Sequence, residues 1–184
     1  MAHETESVEP WLRGTHGELD AVIRQVIHAL ELAGEDVEIW CAGLTEEELN
    51  ARPFGLTPVA FHLRHIARSL DRLLSYAEGT QLDASQKAAL RSELDAGATR
   101  AEVKAELSAA LIRSMERVRA FSPEQYNAAR GVGRAMLPTS VGGLLVHCAD
   151  HTQRHVGQAV TTAKLLVAMR PEKPTPQEAL GAVR

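Results

Sequence analysis

Four long segments of this 184-residue chain repeat their apolar residues at steps of three and four, and nothing alternates with period two over a useful length. Such spacing puts the apolar residues on one stripe of a helix, and that stripe must be buried against another element. The first segment spans 10–33, with Leu12, Leu19, Val22, Ile23, Val26, Ile27 and Leu30 on its stripe and Gly34 as its stop. The second starts at Thr57-Pro58, where Thr57 can cap free backbone N–H groups and Pro58 loses no needed donor. Its stripe is Phe61, Ile66, Leu70, Leu73 and Leu74, and Gly79 ends it. The third covers 99–121, with Thr99 and Glu102 at capping-box spacing and Val103, Leu107, Leu111, Ile112, Met115 and Val118 on one face. The fourth runs over 140–169, capped by Thr139 or Ser140, with Gly142 and Gly143 permitting a close backbone approach near its start.

The connections are long enough to hold short helices or crossovers. Thr45 and Glu48 mark a short helix at 45–50, the polar stretch 81–98 suits another, and 128–138 reads as a loop. The tail at 170–184 carries three prolines and reads as a surface strap or a disordered segment. With only 4% aromatic residues, the core must be built from Leu, Ala, Val and Ile, a mixture that favours helices. The fold class is therefore all-α: one domain over 1–184, a four-helix bundle with short extra helices in its connections, its topology not bound to be simple up-down-up-down.

Composition narrows the function. A net charge of −4 and a pI of about 6.1 leave no basic stripe for a phosphate backbone, so no nucleic-acid partner is expected. No run of about 18 apolar residues is present, so no membrane span is expected. Two cysteines, Cys41 and Cys148, are too few for a disulfide framework, and the opening MAHETESVEP lacks the regions of an export signal. Both point to a reducing cytoplasm. Cys148, flanked by Val146-His147 and Ala149, reads as a small buried residue rather than a nucleophile.

Histidine carries the chemistry. Five of the eight fall in two clusters: His62 and His65 on the second helix, and His147, His151 and His155 on the fourth. His3, His16 and His28 are scattered and read as surface or partly buried residues. Two imidazoles four apart on a helix lie on one face, about 6 Å apart, and can chelate one ion without bending the backbone. The glutamate base of the H-E-x-x-H proteases is missing, since Cys148 and Thr152 follow His147 and His151. His147 and His155 are about 12 Å apart along the axis. The easier geometry therefore uses His147/His151 or His151/His155 with a third ligand, His62 or His65, from the second helix. Neutral imidazoles suit Zn, Ni, Fe or Cu better than Mg or Ca, and a three-ligand site leaves a position open for chemistry. Asp150, Gln153, Gln158 and Asp71 are near enough in sequence to hold the second N–H of a ligating ring.

The segment from Val59 to Leu74, VAFHLRHIARSLDRLL, resembles the second helix of the DinB/YfiT-like superfamily, and HCADHTQRHVGQ, His147 to Gln158, resembles that family's last core helix. Arg154 and Val156 stand where many members carry a histidine and a basic residue. The resemblance implies a four-helix bundle, often a homodimer, with His65, His151 and His155 as ligands of a divalent transition metal (Zn, Ni or Fe). It also implies thiol-dependent transferase or isomerase activity on low-molecular-weight thiols such as mycothiol or bacillithiol. A metal-dependent S-transferase or hydrolase is thus the leading expectation, and a non-enzymatic, metal-stabilised binding or stress-response module is the alternative. Arg64, Arg68 and Arg154 beside these histidines are candidates for an anionic substrate; Arg113, Arg117 and Arg119 read as a solvated face.

Overall fold

Asp20 sets the start of the first long helix, because its carboxylate accepts a hydrogen bond from Val22 N at 2.9 Å. In the computed structural model, which describes residues 8–171, this helix (α1) spans Ala21–Cys41. It begins later than residue 10 because Gly14 and His16 both take left-handed backbone angles that no helix accepts, leaving only a single turn at Pro10–Leu12. It also runs through Gly34 instead of stopping there. A Cβ at that glycine would sit 3.4 Å from the Leu111 side chain, an ordinary contact, and the backbone there is not left-handed.

The Thr45–Glu48 capping box forms and starts α2, Glu46–Asn50. The next helix, α3 at Val59–Ala77, opens without a side-chain cap, so Thr57 does not play the expected part. Helix α4, Ala84–Arg91, occupies the polar stretch and is held by an Asp83–Gln86 capping box. The Thr99–Glu102 box starts α5, Arg100–Arg119. Ser140 caps α6, Val141–Ala168, through Gly143 N. The stretch expected as a loop is instead a short antiparallel hairpin, β1 at Ala129–Val132 and β2 at Leu137–Ser140, with Ala129 opposite Ser140. Four-residue strands are too short for a period-two signal to stand out. Gly142 permits the anticipated close approach: its N–H donates to Tyr126 O at 2.9 Å, and a Cβ there would lie 3.1 Å from the tyrosine's own Cβ.

The four long helices pack in the order α1–α6–α3–α5 around a square, so α1 and α3 are diagonal, as are α5 and α6. Chain neighbours α1/α3 and α5/α6 thus lie across the bundle, and the topology is crossed. The connections at 42–58 and 120–140 supply the length for these crossings. The core is aliphatic: Ile23, Ile27 and Leu30 meet Ile66, Leu70 and Leu74 together with Val103, Val118 and Leu145. Four stripe residues fall outside it: Leu12 and Ile112, both exposed, and Val22 and Phe61, both partly buried. The Pro-containing tail at 170–184 lies outside the described residues from 172 onward. Among the described residues no helix is long and apolar enough to cross a membrane.

Candidate metal centre

Helices α3 and α6 share an extensive interface, and both histidine clusters lie on it. His65 on α3 and His151 and His155 on α6 each offer a ligand atom within 4.8 Å of the other two. Their ring centroids are 5.0 Å apart for His65–His151, 4.4 Å for His65–His155 and 4.7 Å for His151–His155. All three rings are partly buried, and Phe61 stacks on His65 at 5.3 Å.

Each ring has one nitrogen occupied by the protein. His65 Nδ1 lies 2.7 Å from a Glu93 carboxylate oxygen, and that carboxylate also accepts from Arg72 at 2.6 Å. Glu93 is 5% exposed. Burial alone would raise its carboxyl, but the hydrogen bonds from His65 and Arg72 outweigh that and hold it below its usual range. His151 Nδ1 faces Ser69 Oγ at 3.4 Å; the Ser69 hydroxyl donates to Ile66 O and so is free to accept. His155 Nδ1 lies 3.0 Å from Nδ1 of the buried His62.

With Nδ1 engaged on every ring, Nε2 is the nitrogen left over. Two of these, on His65 and His151, stand 3.3 Å apart. If His65 Nδ1–H donates to Glu93 and His151 Nδ1–H to Ser69, this contact sets two lone pairs against each other. Such a contact is unfavourable unless a cation is shared between them. Zn–N bonds of about 2.0–2.1 Å place tetrahedral donors about 3.4 Å apart, so the observed separation fits a zinc-class ion. Burial, and then the repulsion of neighbouring imidazoles, push His62 and His151 down to about 4; burial, and then His65, do the same to His155. These rings are neutral near pH 7, as metal ligands must be.

The remaining candidates fall elsewhere. His147 is half exposed, 3.7 Å from Asp150, and stays outside the cluster. Asp150 pairs with Arg154, Gln153 donates to Ala29 O, and Asp71 pairs with Arg117 and takes Gln86. None of these holds a ring of the cluster. Arg68 is committed to Glu106, Ala89 O and Ser92 and so is not set out for an anion; Arg64 donates from Nη1 to Asp95 O and lies 3.8 Å from Glu106, while its buried Nε makes no hydrogen bond. Arg117 is ion-paired to Asp71 and Glu78 rather than part of a solvated face. Arg154 is exposed and, with Leu56, Thr57, His62 and Gln158, borders an open groove of about 600 Å³. Cys148 is buried, and burial pushes its thiol up to about 12, which makes it inert. Sequence reading missed Glu93: it lies 28 residues from His65, in the turn after α4, with no local pattern to mark it.

The family model described as the DinB superfamily matches residues 29–159. Among solved structures, the crystal structure of a conserved protein from Enterococcus faecalis superposes with a TM-score of 0.68 at 21% identity, covering 82% of this chain and 99% of that one. At that identity the likeness shows the fold. No curated protein matches the chain.

Proposed function

This chain belongs to the DinB superfamily, and from that membership and its histidine cluster we propose that it is a metal-dependent enzyme. His65, His151 and His155 hold a divalent transition metal (zinc, nickel or iron). The observation that carries this reading is the 3.3 Å approach of two imidazole Nε2 atoms whose Nδ1 partners are supplied by Glu93 and Ser69. A metal at three imidazoles supplies Lewis acidity at an open position, lowering the pKa of a thiol or water bound there. The chain's own residues fix the donors. Glu93 orients His65, Ser69 orients His151, and His62 holds the Nδ1 side of His155. The groove beside His62 and Arg154 has room for a small molecule.

The substrate class we assign is a low-molecular-weight thiol in an S-transferase reaction, with ester or amide hydrolysis as the competing chemistry on the same site. The protein acts as a cytoplasmic homodimer in this reading; light scattering on the purified chain tests the dimer. The deciding experiment is elemental analysis of untagged wild type beside His151→Ala, followed by turnover screens with thiols plus electrophiles and with esters. We expect about one equivalent of metal fewer in the variant, with turnover lost and helix content retained. Helix content lost together with the metal assigns the ion to structure and makes the protein a metal-stabilised binding module. Metal content unchanged by His151→Ala removes the three-histidine reading.

A further inference from the structure

A second cluster with ligand chemistry lies where the segment ahead of α1 folds back on that helix. His28 and Glu31 are three residues apart on α1 and share a face. His28, expected at the surface or partly buried, is in fact buried at 4% exposure. His16 comes from the preceding turn, closed by a hydrogen bond from Leu19 N to His16 O. Its backbone is left-handed, with φ of 57°, a conformation that costs a non-glycine residue about 1 kcal/mol or more. That conformation brings its Nε2 to 2.8 Å from Glu31 Oε1 and its ring centroid to 5.5 Å from that of His28. Each of the three residues offers a ligand atom within 4.8 Å of the other two.

We propose that His16, His28 and Glu31 form a second divalent-metal site, independent of the three-histidine cluster and suited to zinc-class ions. Two imidazoles and one carboxylate are the borderline donor set such ions take. Tetrahedral donors lie about 3.4 Å apart, so separations up to 4.8 Å close with modest side-chain rotation. His16 and Glu31 have the freedom to make it, their side chains being 20% and 28% exposed, while the helix fixes His28. The carboxylate offsets half of the ion's charge. An open cavity of about 310 Å³, lined by Trp11, Thr15, Arg24, Gln25 and His28, leaves space for water or a small anion as a further ligand. Thr15 Oγ1 lies 3.1 Å from His28 Nε2 at its edge. An ion here clamps the entry segment onto α1.

The test is zinc uptake by metal-stripped, untagged full-length protein, measured by equilibrium dialysis and elemental analysis. The chains compared are wild type, His151→Ala, His16→Ala, Glu31→Gln and the His151→Ala/Glu31→Gln double variant. We expect about two zinc ions per chain in wild type, about one in each single variant and none in the double variant. Removing a partner one shell further out weakens metal sites by about 10–100-fold, so removing a ligand weakens zinc binding here by more than about 100-fold. In the His151→Ala background, zinc should still raise the melting temperature, and Glu31→Gln should abolish that rise. Glu31→Gln keeps the shape of a partly exposed side chain, so the test survives if His16→Ala fails to fold. Zinc uptake unchanged by Glu31→Gln leaves His16–Glu31 as a hydrogen-bonded pair only and overturns the proposal. A single zinc wholly lost in His151→Ala overturns it equally. The three-histidine reading fails separately, when His151→Ala changes nothing.

Discussion

Glu93→Gln probes the centre through one atom. The carboxylate now accepts twice, from Arg72 at 2.6 Å and from His65 Nδ1 at 2.7 Å. An amide of the same shape has one acceptor and one donor group. Arg72 can only donate, so it takes the amide oxygen, and the amide NH2 is turned toward His65 Nδ1. That nitrogen must then accept, which moves the ring proton to Nε2, the atom 3.3 Å from His151 Nε2. The ligand nitrogen is thereby blocked. Loss of such a partner weakens metal sites by about 10–100-fold, or about 1.4–2.7 kcal/mol, and the tautomer change puts this variant at the upper end. Stability of the metal-free chain falls as well. Two hydrogen bonds to a carboxylate, each contributing about 1.5–3 kcal/mol, become one to a neutral amide oxygen and one neutral amide-to-imidazole bond, a loss of about 1–3 kcal/mol. Screening does little to soften this, because the Glu93 and Arg72 side chains are 6% and 11% exposed. The assay is zinc competition against a chromophoric chelator, with nitrogen-15 spectra of the histidine rings to read the tautomer. Asp71→Asn is the control, since Asp71 pairs with Arg117 and touches no ring of the cluster. Zinc affinity in Glu93→Gln within about threefold of wild type, with His65 still protonated at Nδ1, refutes the reasoning.

Three further outcomes follow from the same geometry. His62→Ala removes the Nδ1 partner of His155 and should lower zinc affinity by about 10-fold in the same competition assay, with helix content retained; unchanged affinity separates His62 from the centre. Burial and neighbouring imidazoles depress His62, His151 and His155 to about 4 in the folded chain, against 6.5 when unperturbed. The unfolded chain therefore binds more protons between those values, so the metal-free protein should lose stability as pH falls from about 6.5 toward 4; melting temperatures flat across that window contradict it. Cys148, with its thiol pushed up to about 12 by burial, should resist iodoacetamide at pH 8 in the folded protein and react only on unfolding, as mass spectrometry of the labelled chain would show.

Much of the fold was legible because helix signals are local. The apolar steps along α3, the Thr45–Glu48 and Thr99–Glu102 boxes and the Ser140 cap each lie within a few residues of what they control. The start of α1 was misjudged for the converse reason: 10–19 carries apolar residues at helical steps, but left-handed Gly14 and His16 override them. Gly34 does not stop α1, because its backbone stays helical rather than turning left-handed and the helix continues to Cys41. The hairpin at Ala129–Ser140 draws its order from pairing and from contacts to α3 and α6, none of which leaves a pattern in four residues.

The division at the candidate site follows the same physics. Sequence alone put His62 and His65 on one helix, and His147, His151 and His155 on another, because residues three and four apart must share a helical face. Spacing left open which of them meet, since that depends on how α3 and α6 are set against each other, and only the family resemblance selected His65, His151 and His155. Tertiary packing brought His65, His151 and His155 together, moved His147 out toward Asp150 and set His62 behind His155. Packing also supplied Glu93 from a turn 28 residues away, and joined His16 to His28 and Glu31 across the entry to α1. A helix face is written in a spacing of a few residues. A hydrogen-bond partner for a buried ring is chosen by whichever chain segment the fold carries past it, and that choice has no local record.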